Sequence, residues 1–235
     1  MSYQYIDDEF QVLTNIRLIG NREDVNLGWQ HQVSLGIETN DVRTGQSLGY
    51  HFNSKSSRGY CDESQILLLK LRTKARISVG QKDFYRTSLQ AEYYYRIAEK
   101  WTYYNKVRLT ASHNNPLNKP VALGDDTGLR GYNNDYQYGD YQWLLTTELR
   151  NYPHINLYQF AEFGWAAFMD VGQSFGDNTD NNAINKPIGS VGFGARIFSS
   201  RSSYGNVAHI DISVPITTGP NVDSWEWRFQ IKNHF

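Results

Sequence analysis

Arg130 stands in Leu129-Arg130-Gly131-Tyr132, at the centre of a polar stretch from Gly124 to Asp140 made largely of Asp, Asn, Gly and Tyr. Such a stretch can hardly bury itself, yet a planar guanidinium between small and apolar neighbours is suited to docking on carboxylates in a fixed geometry. A second charged array is Lys70, Arg72, Lys74 and Arg76, cations at every other position, which attract anions wherever a strand presents them. Gly45-Gln46-Ser47-Leu48-Gly49 spells G-x-S-x-G, but a nucleophile elbow needs a helix behind the turn, and the residues after Gly49 read as polar and extended. No residue is therefore assigned a catalytic role, and an enzyme is not expected. His31, His51, His113, His154, His209 and His234 lack an i, i+4 pair or a cysteine partner, so no zinc site is expected. Gly176 to Asn182 offers oxygen ligands without the spacing and closing glutamate of an EF-hand. No metal or cofactor is assigned.

Strands must position these side chains, because polar and apolar residues alternate almost everywhere. Trp225, Trp227, Phe229, Ile231 and Phe235 share one face, with Glu226, Arg228, Gln230, Lys232 and His234 on the other. Leu67, Leu69, Leu71, Ala75, Ile77 and Val79 oppose the cation ladder in the same way. The pattern recurs in Leu89 to Ile97, Trp101 to Leu109, Tyr141 to Leu149, Phe163 to Met169 and Val191 to Ile197, with further strands expected at 9–20, 25–38, 46–60 and 205–217. No segment carries a helical stripe, and no composition shift marks a second domain.

Alternation does not say which face is wet, since a soluble barrel and a membrane barrel share it turned inside out. Several features favour the membrane. Many segments run past the roughly 9–11 residues that cross a bilayer, and aromatics gather at strand ends, as in Trp101-Thr102-Tyr103-Tyr104 and Trp225-Glu226-Trp227, as an interfacial girdle requires. Short turns at Gly20 to Asp24 and Cys61-Asp62-Glu63 alternate with long ones at 114–139 and 174–187. The longest apolar run, Ile66 to Leu69, stops at Lys70, which excludes a membrane helix. With 23 Lys+Arg against 24 Asp+Glu there is no basic excess for a nucleic-acid partner. The single cysteine, Cys61, excludes an internal disulfide.

At this point the residues resemble a known group, the bacterial surface antigen superfamily of BamA, TamA and FhaC, outer-membrane insertases and secretion transporters. Leu129-Arg130-Gly131-Tyr132 is similar to that superfamily's [VIL]-R-G-[FY] inserted-loop motif, and Phe168-Met169-Asp170-Val171-Gly172 to its F-x-D-x-G strand. Glu148 in Thr147-Glu148-Leu149-Arg150 matches the acidic residue of the intervening strand. Trp225, Trp227, Phe229 and a terminal Phe235 look like an outer-membrane assembly signal. The likeness is close over roughly the last 150 residues and looser before. It departs in having no room for POTRA domains or a sixteen-stranded barrel.

The resemblance implies that residues 1–235 form a single all-β domain, a transmembrane antiparallel β-barrel in the bacterial outer membrane. The long extracellular loop would fold back inside, where Arg130 pairs with Glu148 and Asp170 and Gly128 and Gly131 allow close approach. Eleven alternating segments are counted, and twelve strands are expected because an exported barrel normally has an even number. Tyr3-Gln4-Tyr5 or a split of 46–60 would supply the twelfth, and the strand at 9–20 would close antiparallel on 224–235. The cation ladder is expected on a hydrated inner wall balanced by Glu92, Glu148, Glu162, Asp170 and Glu226. The implied function is translocation or insertion of polypeptide or lipid, the alternatives being a passive structural or pore barrel and the barrel fragment of a longer transporter. The expected partners are outer-membrane lipids, a polypeptide substrate and a second copy at the barrel seam.

Overall fold

The computed structural model describes residues 1–16, 19, 22–39, 48–78, 82–115, 120–157, 161–177, 179, 182–199 and 207–232. The described residues are strands, turns and loops, with no helix among them. In chain order the strands are β1 (Ser2–Ile6), β2 (Phe10–Thr14), β3 (Arg22–Asn26), β4 (Gln30–Thr39), β5 (Leu48–Cys61), β6 (Gln65–Ser78), β7 (Phe84–Ala98), β8 (Trp101–His113), β9 (Val121–Leu123), β10 (Gln137–Gly139), β11 (Tyr141–Leu157), β12 (Ala161–Phe175), β13 (Ile188–Ser199), β14 (Val207–Pro215) and β15 (Glu226–Lys232). Eleven of them make one antiparallel sheet in the order β1-β4-β5-β6-β7-β8-β11-β12-β13-β14-β15. Two hairpins, β2-β3 and β9-β10, stand apart from it.

The sheet is built on period 2. Along β12 and β14 burial alternates residue by residue, because one face carries packed polar and small side chains while Trp165, Met169, Ile210 and Ile212 on the other are exposed. The exposed apolar face continues through Leu71, Ile77, Leu89, Val107, Leu109, Leu149 and Phe193. In water such a face would be an aggregation surface; in hydrocarbon it is the face that lipid requires. β5 to β8, β11 and β12 run 13 to 17 residues, ample for a bilayer crossing.

Strand number and closure differ from expectation. Among the described residues the main sheet has eleven strands rather than twelve; Tyr3-Gln4-Tyr5 does form a strand, within Ser2–Ile6, and it rather than 9–20 is the first. Segment 9–20 and the expected short turn at Gly20 to Asp24 give way to the hairpin of Phe10–Thr14 on Arg22–Asn26. Asn15 adopts φ 61° there, and the Glu23 carboxylate accepts the Ile16 amide at 3.1 Å. Leu13, Ile16, Val25 and Leu27 then bury against Ile66, Leu68, Tyr94 and Tyr104, a larger apolar gain than an edge strand would supply. The strand expected at 25–38 breaks at Asn26, whose side chain accepts the Gly28 amide at 2.9 Å, an Asx turn. The edges β1 and β15 do not pair with each other. Eleven strands that reverse at every step leave the first and last running in the same direction, and the expected antiparallel pairing of 9–20 with 224–235 is absent among the described residues, since Phe10–Thr14 pairs with Arg22–Asn26 instead.

Candidate functional site

The inner face is where loop 120–139 docks. β9 and β10 pair with each other and place the tip between them over β11 to β14. The tip is locally wound: the Gly124 carbonyl accepts the Gly128 and Leu129 amides at 3.1 and 2.9 Å. Leu123, Leu129 and Tyr132 pack with Leu144 and Ile188, all at most 1% exposed. Gln137 is wholly buried and donates to the Ile184 and Lys186 carbonyls at 2.8 and 2.9 Å. The Tyr132 hydroxyl is shared between the Gly189 and Thr217 carbonyls, 2.8 and 2.9 Å away. Gly131 has φ +85°, a backbone conformation costly for any residue with a Cβ, and a Cβ there would stand 3.2 Å from Ser213 Oγ.

This packing drives Arg130 into a charged network. Its Nε donates to Asp170 Oδ2 at 2.6 Å and its Nη2 to Asp170 Oδ1 at 3.0 Å, a bidentate fork. Its Nη1 lies 3.0 Å from Glu148 Oε1 and 3.5 Å from Asp211 Oδ2. Cζ sits 3.4 Å from the centroid of Phe168, so one face of the guanidinium stacks on an aromatic ring. Arg150 Nε binds Glu148 Oε2 at 2.8 Å while its own guanidinium covers Tyr104 at 3.7 Å. Arg196 Nη1 binds Asp211 Oδ1, and Gly194 leaves the room this pair occupies, since a Cβ there would overlap both side chains. Three cations thus meet three carboxylates, with Arg130, Glu148, Asp170, Arg196 and Asp211 all at most 5% exposed. Burial alone would weaken the Arg130 charge, but Glu148, Asp170 and Asp211 hold its pKa well above the ordinary guanidinium value. At the loop's edge, burial raises the Asp125 carboxyl pKa while Arg228 opposes it across 3.1 Å.

Leu129, Arg130, Gly131, Tyr132, Glu148 and Asp170 are therefore brought together. Sequence reasoning assigned no role to Arg150, Arg196 or Asp211, and the signal was parity. Arg196 interrupts Val191-Phe193-Ala195-Ile197 and Asp211 interrupts Ile210-Ile212-Val214 on their polar faces. The other expected residues are elsewhere. Trp225, Trp227 and Phe229 are exposed on the lipid-facing side, and Phe235 lies outside the described residues. Ser47 is likewise outside them, and the chain beyond Gly49 continues as strand β5 rather than turning into the helix an elbow needs. The expected balancing of the cation ladder by Glu148 and Asp170 is not what these carboxylates do, because both are engaged by Arg130 and Glu148 also by Arg150.

Residues 18–197, more than half of the chain, match the family described as haemolysin secretion/activation protein ShlB/FhaC/HecB. Among solved structures the chain is similar in fold to CdiB from Acinetobacter baumannii, with 14% identity and a TM-score of 0.58, covering 87% of this chain and 37% of that one. No curated protein matches the sequence.

Proposed function

The chain belongs to the haemolysin secretion/activation protein ShlB/FhaC/HecB family of outer-membrane β-barrel transporters, and from that premise we propose that it translocates polypeptide through its lumen, with loop 120–139 as the anchored element of the conduit. The observation that carries this reading is the Arg130 network. It fixes the loop chiefly to β11 to β14, with a bond to β8 from Arg108 to Thr127 O at 2.8 Å, and a cleft of about 490 Å³ remains between the loop and β6 to β8. A passive sealing loop would fill that cleft, whereas a conduit must keep part of its cross-section clear. In this reading Leu129-Arg130-Gly131-Tyr132 is the docking tip, and Glu148 and Asp170, joined by Asp211, are its receptors. Trp225, Trp227 and Phe229 contact outer-membrane lipid.

The test is conductance and passage of an unfolded polypeptide in proteoliposomes, with the wild type and R130A compared. Polypeptide passage that R130A abolishes or deregulates supports the reading; a barrel that conducts ions identically in both and moves no polypeptide supports the passive alternative. One observation favours a second reading, insertion. Among the described residues the outer edges of β1 and β15 pair with no other strand, an arrangement hydrocarbon does not tolerate, and such edges can template the strands of a client or dock a second copy. Cysteine cross-linking from β1 and β15 to a folding client barrel, in place of passage through the lumen, is the result that selects it.

A further inference from the structure

Beside the Arg130 network, β6 to β8 and the underside of the loop line a half-open cavity of about 490 Å³. Lys70, Arg72, Arg86 and Arg108 line it, with Asp126 and Asp135 of the loop across from them. Among the lining residues cations outnumber carboxylates four to two, and counting Glu92 of β7, which acts on Lys70 and Lys106, the excess is still positive. The carboxylates of the far wall add nothing, since Glu148, Asp170 and Asp211 are held by arginines of their own.

The arrangement is a lattice rather than a patch. Lys70, Arg72, Lys74 and Arg76 share one face of β6 at two-residue intervals, so successive cations are about 6.6 Å apart. Gln90 pairs with both Lys70 and Arg108, which sets those two cations level across three strands. Arg86 is level with Lys74, and Lys55 with Arg72. Arg72 and Lys74 are exposed, and Arg72 lines the cavity. Arg108 already holds a main-chain carbonyl, donating from Nη1 to Thr127 O at 2.8 Å, and Arg86 holds the side-chain carbonyl of Asn115 at 2.7 Å.

We propose that this cleft binds an extended acidic segment of a polypeptide, with carboxylates at alternate positions on the ladder and carbonyls on the arginines. The proposal rests on the translocation reading and names the substrate chemistry within it. An extended chain repeats its same-side side chains at about 6.6 Å, the spacing of the ladder itself. Guanidinium groups meet carboxylates in a planar, two-bonded geometry that a flexible chain can satisfy in passing. Lipid phosphate is the weaker match, because bilayer lipid meets the opposite face of β6, where Leu71 and Ile77 are exposed.

The experiment uses the full chain folded in detergent micelles and a fluorescein-labelled ten-residue peptide of alternating Glu and Thr, read by fluorescence anisotropy. The expected result is saturable binding that weakens as salt rises, and that R72Q/R108Q weakens about tenfold, the size two solvent-screened pairs supply together. K100Q, in the turn between β7 and β8, leaves binding unchanged. R72E/R108E shifts preference to the matching Lys-Thr peptide, and heat-modifiable migration verifies that each variant is folded. Equal binding of the Glu-Thr and Lys-Thr peptides to the wild type, or unaltered binding in R72Q/R108Q, overturns the proposal. Binding of lipopolysaccharide micelles or inorganic phosphate with no peptide binding overturns it in favour of a phosphate site. Peptide binding without passage in proteoliposomes keeps the cleft and removes the transport reading; passage without peptide binding does the reverse.

Discussion

The two inner walls of this sheet carry similar residue types and treat charge in opposite ways. On β11 to β14 the ionic groups are buried and matched three against three, each guanidinium meeting a carboxylate within 3.0 Å. On β5 to β8 the cations are exposed or half-buried, and they exceed the carboxylates around their cavity. The difference comes from what lies over each wall. Loop 120–139 dehydrates the first, and a buried charge without a partner costs several kcal/mol, so every charge there has one. Water reaches the second, where an excess of one sign costs little and creates a field. One wall is thus a fixed mechanical joint and the other a surface open to a ligand.

Removing the joint is the strongest way to break this contrast. R130A leaves Glu148, Asp170 and Asp211 short of a cation and is expected to cost about 3–5 kcal/mol at the loop. The loop should become protease-sensitive between Gly124 and Tyr136 while heat-modifiable migration persists, because the strand ladder does not depend on this contact. R130K should recover part of the loss, since an ammonium keeps the charge but not the fork. D170N removes the bidentate acceptor and is expected to cost about 2 kcal/mol, read by the same proteolysis in urea. G131A tests backbone rather than charge. At φ +85° a Cβ should cost about 1–2 kcal/mol, with loop release but no change in salt dependence.

Tyr132→Phe leaves the Gly189 and Thr217 carbonyls without their shared donor and should cost about 1 kcal/mol. The smallest effect is expected on the open wall. R72Q/K74Q should change urea stability by no more than about 0.5 kcal/mol, in the stabilising direction at low salt as like charges are thinned. A loss as large as that of R130A would show that this wall is also a joint and erase the contrast.

Much of this was legible in the chain. Period 2 points to strands, because backbone geometry fixes side-chain alternation whatever the tertiary contacts, and strand length with aromatics at strand ends favours an apolar face that meets lipid. The residues of the loop tip and its carboxylate partners could be named from motif likeness, and their parity placed Glu148 and Asp170 on the polar face. Parity also marked Arg196 and Asp211 as polar interruptions of apolar strands, but it could not say that they meet. That depends on register between β13 and β14, where Gly194 pairs with Asp211 and Arg196 with His209, a long-range quantity that no local pattern encodes. The same holds for residues 10–26. Their alternation suits a sheet strand as well as a separate hairpin, and only the apolar surface offered by Ile66, Leu68, Tyr94 and Tyr104 decides between them. Strand pairing at the edges, and with it the direction in which β1 and β15 run, depended on that choice. Local sequence determined which residues face in and which face out; tertiary structure decided which inward charges find partners, because pairing depends on distances between strands far apart in the chain.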